Sequence, residues 1–168
     1  MVDQEHILDE SASEKATIRV ILFKLSGETW GIDFKDIQEV LEVRRTTPVP
    51  KTPSFIPGVI NQRGRIITVI DFALLLGEEE NSEQGTRIVH LRSDKGNVGL
   101  LIRSKLLMDS LPEKLVEAGK VVERSAIIPD VPLERRIVQK DKTEISLVDG
   151  EKIIALIERY PFNAPRTS

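Results

Sequence analysis

The 168-residue chain has no cysteine, two histidines and seven aromatic residues. Without cysteine there can be no disulfide framework, zinc ribbon, iron–sulfur cluster or thiol nucleophile, and a reducing compartment is the expected setting. Only His6 and His90 offer imidazole, and one histidine on a strand cannot build a zinc or catalytic site. No apolar run approaches the roughly 20 residues of a membrane helix, and the N-terminus, MVDQEHILDE, is acidic where a secretory signal is basic. A soluble, cytoplasmic protein with no direct membrane insertion is therefore expected. The formal net charge of −3 supplies no counterion-release drive toward nucleic acid, and the glycines follow neither a Walker nor a dinucleotide pattern.

What is present is aliphatic: Ile and Val together number 34, about a fifth of the chain. The length suits one domain, or two small subdomains sharing a core. Residues 1–15 read as a flexible polar tail, 16–160 as the folded region and 161–168 as a C-terminal tail. TIRVILFKL from Thr17 places Ile18, Val20 and Leu22 on one face and Ile21, Phe23 and Leu25 on the other, as a strand buried on both sides would. After the Ser26-Gly27-Glu28 turn, TWGI resumes the strand. Asp33–Leu41 predicts a short helix, with Phe34, Ile37, Val40 and Leu41 at helical spacing and Asp33 and Asp36 placed as a capping box. Pro48, Pro50, Pro53 and Pro57 then fix an extended loop.

GVINQRGRIITVIDF reads as strand, Arg63-Gly64 turn and strand, LLLG as an apolar turn, and EEENSEQG as a solvated acidic linker. TRIVHLR and NVGLLIR flank a hairpin turn at Ser93-Asp94-Lys95-Gly96. Ser110 to Glu113 has the spacing of a capping box opening a helix that runs through Ala118 and stops at Gly119. TEISLV and EKIIALIE suggest a last hairpin about Asp149-Gly150. IITVID at 66–71 and IIALIE at 153–158 share an apolar pattern, and the two halves share an order of hairpin, helix and proline loop. Two similar small β-barrels packed together are expected.

The run WGID, the following IQEV, the TPSFIPGVINQRG segment and the ITVIDF strand together resemble the CheW family of adaptor proteins. The family's usual pattern is aromatic-Gly-Ile-Asp, then Gln-Glu flanked by Val or Ile, then Phe-Ile-x-Gly-Val-x-Asn-Leu-Arg-Gly and Pro-Ile-Val-Asp-Leu. Gln62 stands for Leu and Thr68 for Pro. The match covers 17–77; beyond it, Leu101-Ile102-Arg103-Ser104-Lys105 stands where Val-Asp-x-Val is usual. The resemblance implies a mainly β fold of two SH3-like five-stranded barrels with short helices, able to exchange terminal strands, and a groove between them. It implies no catalysis and no cofactor. The partners it implies are the regulatory domain of the histidine kinase CheA and the cytoplasmic tip of methyl-accepting chemoreceptors, or a related pair in a pilus or gliding pathway.

By the same resemblance Ile37, Glu39, Arg63, Gly64 and Ile66 belong to the receptor groove. Gly58, Val59, Arg44 and Arg45 belong to the kinase or shared face. Each has a plainer reading. Arg63 can be a turn residue beside a glycine, and Arg44-Arg45 and Arg135-Arg136 can be exposed edge charges that discourage strand pairing. Trp30 reads as a core anchor, Asp71 as a strand-end cap and His90 as structural. A nucleic-acid-binding barrel would need a basic groove with stacking aromatics, which the composition opposes. For an enzyme, no nucleophile, metal cluster or phosphate cradle is assembled in the sequence.

Overall fold

The computed structural model describes residues 16–42, 44–79, 85–128 and 130–160. The two expected tails and residues 80–84 of the acidic linker lie outside the described residues.

Two antiparallel-rich sheets carry the fold. The N-terminal hairpin is β1 (Thr17–Leu25) and β2 (Glu28–Asp33), followed by a 3-10 turn (Phe34–Asp36) and β3 (Ile37–Glu42). The expected central hairpin is β4 (Gly58–Gln62) and β5 (Arg65–Asp71), which runs into a one-turn helix α1 (Phe72–Leu75). The Ser93–Gly96 hairpin joins β6 (Arg87–Leu91) to β7 (Val98–Ile102), and β8 (Leu107–Pro112) leads into α2 (Glu113–Glu117). The chain ends with β9 (Lys120–Arg124), β10 (Leu133–Lys140), β11 (Thr143–Val148) and α3 (Gly150–Glu158). The first sheet has six strands in the order β8-β1-β2-β11-β10-β9, and the second has five in the order β3-β6-β7-β5-β4. The mainly β, two-barrel expectation holds, with one sheet a strand wider than expected. The middle of the chain builds one sheet, while the first hairpin and the C-terminal strands build the other. No helix of the described residues is long and apolar enough to cross a membrane.

Three apolar clusters fill this frame. Val20, Leu111, Val138 and Ile145 lie within the six-stranded sheet. Leu41, Ile60, Ile67, Val69, Ile88 and Leu101 lie within the five-stranded one. The largest cluster lies between them, where Ile21, Phe23 and Trp30 of the first sheet meet Ile70, Val89 and Leu100 of the second, with α1 and α3 closing the layer. Trp30 is fully buried, and Phe72 meets it edge-on with ring centroids 5.4 Å apart, so Trp30 is the core anchor its sequence context suggests.

Four expectations are overturned. The Asp33–Leu41 helix is a 3-10 turn followed by β3, because two helical turns cannot sustain themselves while β3 gains a ladder with β6. A bulge between Ile37 and Glu39 breaks the alternation, so Ile37 joins the central layer while Leu41 enters the barrel interior. That bulge is why the apolar spacing imitates a helix. Asp149-Gly150 is a helix start: the Asp149 carboxylate accepts the Glu151 N–H at 2.8 Å, and Ile153, Ile154, Leu156 and Ile157 are the buried stripe of α3. The IITVID and IIALIE echo therefore pairs a strand with a helix and is no repeat. Helix α2 does form, but Ser110 lies in β8 and Pro112 precedes the helix without a side-chain cap, so the capping box is absent.

Asp36 sits where the two ends of the fold meet, its Oδ2 accepting the Gly150 N–H at 3.3 Å. Burial raises its pKa above the usual carboxylate value, helped by the negative charges of Asp149 and Asp33 and opposed by that hydrogen bond and Lys35. A raised native pKa contributes stability that is complete below the unfolded value of 3.8 and is lost as pH rises through the native value. Asp36→Asn keeps an acceptor for Gly150 and carries no charge. It should melt higher than the parent at pH 7, with the gap closing as the pH falls below about 4, in thermal unfolding followed by circular dichroism.

Candidate partner-binding site

The five-stranded sheet closes on itself, and its closure arranges the candidate residues. Its free edges are β3 and β4. Beyond β3 the chain turns back along β4, where Thr47 and Val59 exchange backbone hydrogen bonds of 2.8 and 2.9 Å. Arg44 completes the seam, donating to the Asn61 carbonyl at 3.1 Å and to Oε1 of the buried Gln62. Gly58 is needed at this seam: a Cβ there would lie 2.3 Å from the Thr47 carbonyl oxygen, with φ at +153°. The role the structure gives Gly58 is therefore close backbone approach.

Arg63 and Gly64 form the β4–β5 turn with φ of 51° and 84°, and the Gly64 N–H donates to Asn61 Oδ1 at 2.9 Å. Two successive positive φ values suit the right-handed twist of a tight hairpin and hold the exposed Arg63 at its tip. Beneath the tip lies a hollow of about 350 Å³ lined by Gln38, Glu39, Gln62, Arg63, Arg65 and His90. His90 is buried and its Nδ1 has no hydrogen-bond partner among the described residues, with Glu39 Oε1 3.6 Å away. Charge of both signs thus meets at one end of an otherwise apolar barrel interior.

Ile66 follows on β5, on the same face as Ile70 of the central layer, and is 55% exposed. It marks where the face between the sheets emerges into solvent, beside Asn61 and near the half-buried Val59. Ile37 differs: it is 5% exposed and packs in the central layer, so it supports β3 from behind and offers no surface. Glu39 and Ile37 both sit on a strand, not on the expected helix. Arg45 is exposed at the other end of the barrel, on a hollow separate from that of Glu39 and Arg63.

The plainer readings divide. Asp71 is a cap, its Oδ1 accepting the Leu74 N–H at 3.2 Å while Oδ2 pairs with Arg103 at 3.1 Å. Arg135 and Arg136 are not edge charges, since β10 lies inside its sheet: Arg135 stacks 5.3 Å from the Trp30 ring centroid, and Arg136 donates to the Gly119 carbonyl at 2.9 Å. Sequence reasoning missed Gln62, Arg65, Arg87 and Arg103 as members of the two hollows. Gln62 carried a signal, being a polar residue where the resembling motif has Leu. Among the described residues no group of three or more His, Asp and Glu side chains is placed to hold a metal ion.

A family model described as CheW-like domain matches residues 19–158. The chain belongs to that family. Among relatives, the Thermotoga maritima chemotaxis protein CheW is 30% identical over 135 residues, covering 80% of this chain and 86% of its own. The Bacillus subtilis chemotaxis protein CheW is 26% identical over 147 residues, covering 86% and 91%. FrzA of Myxococcus xanthus is 36% identical over 58 residues, 34% of this chain and 36% of FrzA. The crystal structure of the scaffolding protein TtCheW from Thermoanaerobacter tengcongensis superposes with a TM-score of 0.66 at 26% identity, covering 78% of this chain and 88% of that one. The CheW-like match runs through the C-terminal half, where the motif alone had faded.

Two substitutions test the seam of this CheW-like barrel. Arg44→Ala strips Gln62 of its partner in a buried site and should lower stability by about 1–3 kcal/mol in urea unfolding. Gly58→Ala drives a methyl group into backbone that cannot yield, and a loss of about 1–3 kcal/mol is expected there too.

Proposed function

We propose that this chain is a non-catalytic signalling adaptor of the cytoplasm that couples chemoreceptors to a CheA-type histidine kinase. The observation that carries the reading is the CheW-like match over residues 19–158, with relatives named for chemotaxis aligned over most of the chain. The arrangement suits work done by contact. The Arg63 tip, the charged hollow below it and the exposed Ile66 give a surface with two guanidiniums, those of Arg63 and Arg65, one carboxylate and an aliphatic side chain close together.

In this reading the receptor tip meets Arg63, Gly64, Glu39 and Ile66, and Ile37 acts by holding β3. The kinase regulatory domain meets the barrel around Val59, Arg44 and Arg45, with Gly58 shaping the backbone there. Receptor state then reaches the kinase as a coupling free energy, since both partners are held by the same body. A modest interface of about 800 Å² on each partner is expected.

The full chain mixed with the cognate CheA regulatory domain should co-elute on size exclusion, and absence of a complex at high micromolar concentration sinks the reading. Arg63→Ala preserves the turn's backbone class and removes the guanidinium. It should weaken receptor association about 30-fold, or about 2 kcal/mol, with an unchanged melting temperature. Unaltered affinity in the folded variant excludes Arg63 from the interface.

A further inference from the structure

The opposite end of the five-stranded barrel collects four arginines around one hollow. It is where β3, β5 and β7 end and β4 and β6 begin, so the topology itself collects side chains there. Arg44 and Arg45 follow β3, Arg87 opens β6 and Arg103 follows β7, and all four line one hollow of about 630 Å³. Glu42 is the one acidic residue among the described residues lining it, and Arg103 is ion-paired with the buried Asp71, so four cations less two anions leave +2 in a chain whose net charge is −3. The floor is apolar, made by Ile88 and Leu101.

The four arginines are not equivalent. Arg44 is engaged at the seam with Asn61 and Gln62, and Arg103 is paired with the buried Asp71. Arg87 donates to the neighbouring Thr86 carbonyl at 2.8 Å, which leaves most of its fork unused, and neither Arg87 nor Arg45 has a carboxylate partner among the described residues. Among the described residues, two cations are thus held in place and two have no carboxylate partner, around a pocket whose local sign is the reverse of the whole protein's. Such a pocket draws in negative charge and gains more from it over an apolar floor than on open surface. Guanidinium forks match carboxylates two hydrogen bonds at a time. The described lining residues include no aromatic side chain for base stacking, and the aliphatic floor has nothing to offer a bare inorganic anion.

We propose that this hollow is a docking surface for an acidic segment of a protein partner, its carboxylates meeting Arg45 and Arg87 and an aliphatic side chain lying over Ile88 and Leu101. The hollow includes Arg44 and Arg45 of the proposed kinase face, so the inference rests on that part of the adaptor reading and deepens it by giving the chemistry the face takes. Its test contains no kinase or receptor, so its failure is distinguishable from a failure to co-elute with the kinase domain.

The test is fluorescence anisotropy of a labelled peptide of alternating Glu-Glu-Leu triplets titrated with the full chain. The same peptide with Gln for Glu, and an oligothymidylate of similar charge, serve as comparisons. The acidic peptide should bind in low salt and lose about tenfold in affinity between about 50 and about 300 mM salt. The double variant Arg45→Gln with Arg87→Gln should weaken it by about tenfold or more while melting like the parent, and Arg63→Ala should bind it unchanged. Neutral substitutions are chosen because Arg87 lies directly opposite Glu42 in the sheet, where a new carboxylate would repel. Equal binding of the Gln peptide, equal or tighter binding of the oligonucleotide, no binding of the acidic peptide, or indifference to the double variant each overturns the proposal.

Discussion

The apolar layer between the two sheets is the constraint on which the rest of the structure depends. Neither sheet is self-sufficient: the cluster inside the six-stranded sheet has four buried aliphatic residues and that inside the five-stranded sheet has six. The aromatic residues are concentrated instead where the sheets face each other, with Phe23, Trp30 and Phe72 in edge-to-face contact. A buried aromatic removed from such a layer costs about 3–5 kcal/mol, a large part of a domain's net stability. The scarcity of aromatics is therefore a matter of placement. The few present are spent on the joint that fixes one barrel against the other.

Each barrel then solves the same edge problem with one long cation. Arg44 spans β3 and β4 in one sheet. In the other, Lys140 at the end of β10 reaches across to β8, where its Nζ lies 2.8 Å from both Asp109 carboxylate oxygens and 3.2 Å from the Ser110 carbonyl. The Lys140 hydrogen bond, followed by that of the Ser110 backbone, holds the Asp109 carboxyl below its ordinary pKa. That closure is present above the unfolded pKa of the carboxyl and fades as pH falls through its lowered native value. It lies where solvent screens it, so it sets geometry more than stability.

Hairpins were the legible part of the fold. Gly27, Gly64 and the Ser93–Gly96 turn announce their strands because positive φ and short polar links restrict the choice of residue. The β3 and α3 segments misled for one reason, which is that short aliphatic runs of four to six residues fit both periods. Ile37 and Leu41 fall four apart on a bulged strand, while IIALIE looks like a buried strand until Asp149 is seen to cap it. Strands β8 and β9 left little trace because they are the edges of their sheet and expose Leu107, Met108 and Val121. Of the candidate site, Arg63, Gly64 and Glu39 were legible through a motif. Their convergence with Gln62, Arg65 and His90 was not, since it depends on β4, β5, β3 and β6 lying side by side in an order the chain does not follow.

Both hollows occupy the ends of one barrel and share its strands. Glu39 and Glu42 lie on β3, and His90 and Arg87 on β6, with the aliphatic interior of Ile67, Ile88 and Leu101 between them. The residues marking the two hollows lie three apart on each strand, about 10 Å along it, and Arg44 of one hollow is hydrogen-bonded to Gln62 of the other, so the two surfaces are close neighbours on one barrel. No moving part is needed for such a body to relate them. A packed interior transmits a displacement at one end as strain at the other, because close-packed side chains have little free volume to absorb it. A contact protein is well served by this construction, in which the polar groups sit at the ends of a barrel and the apolar groups set the distance between them.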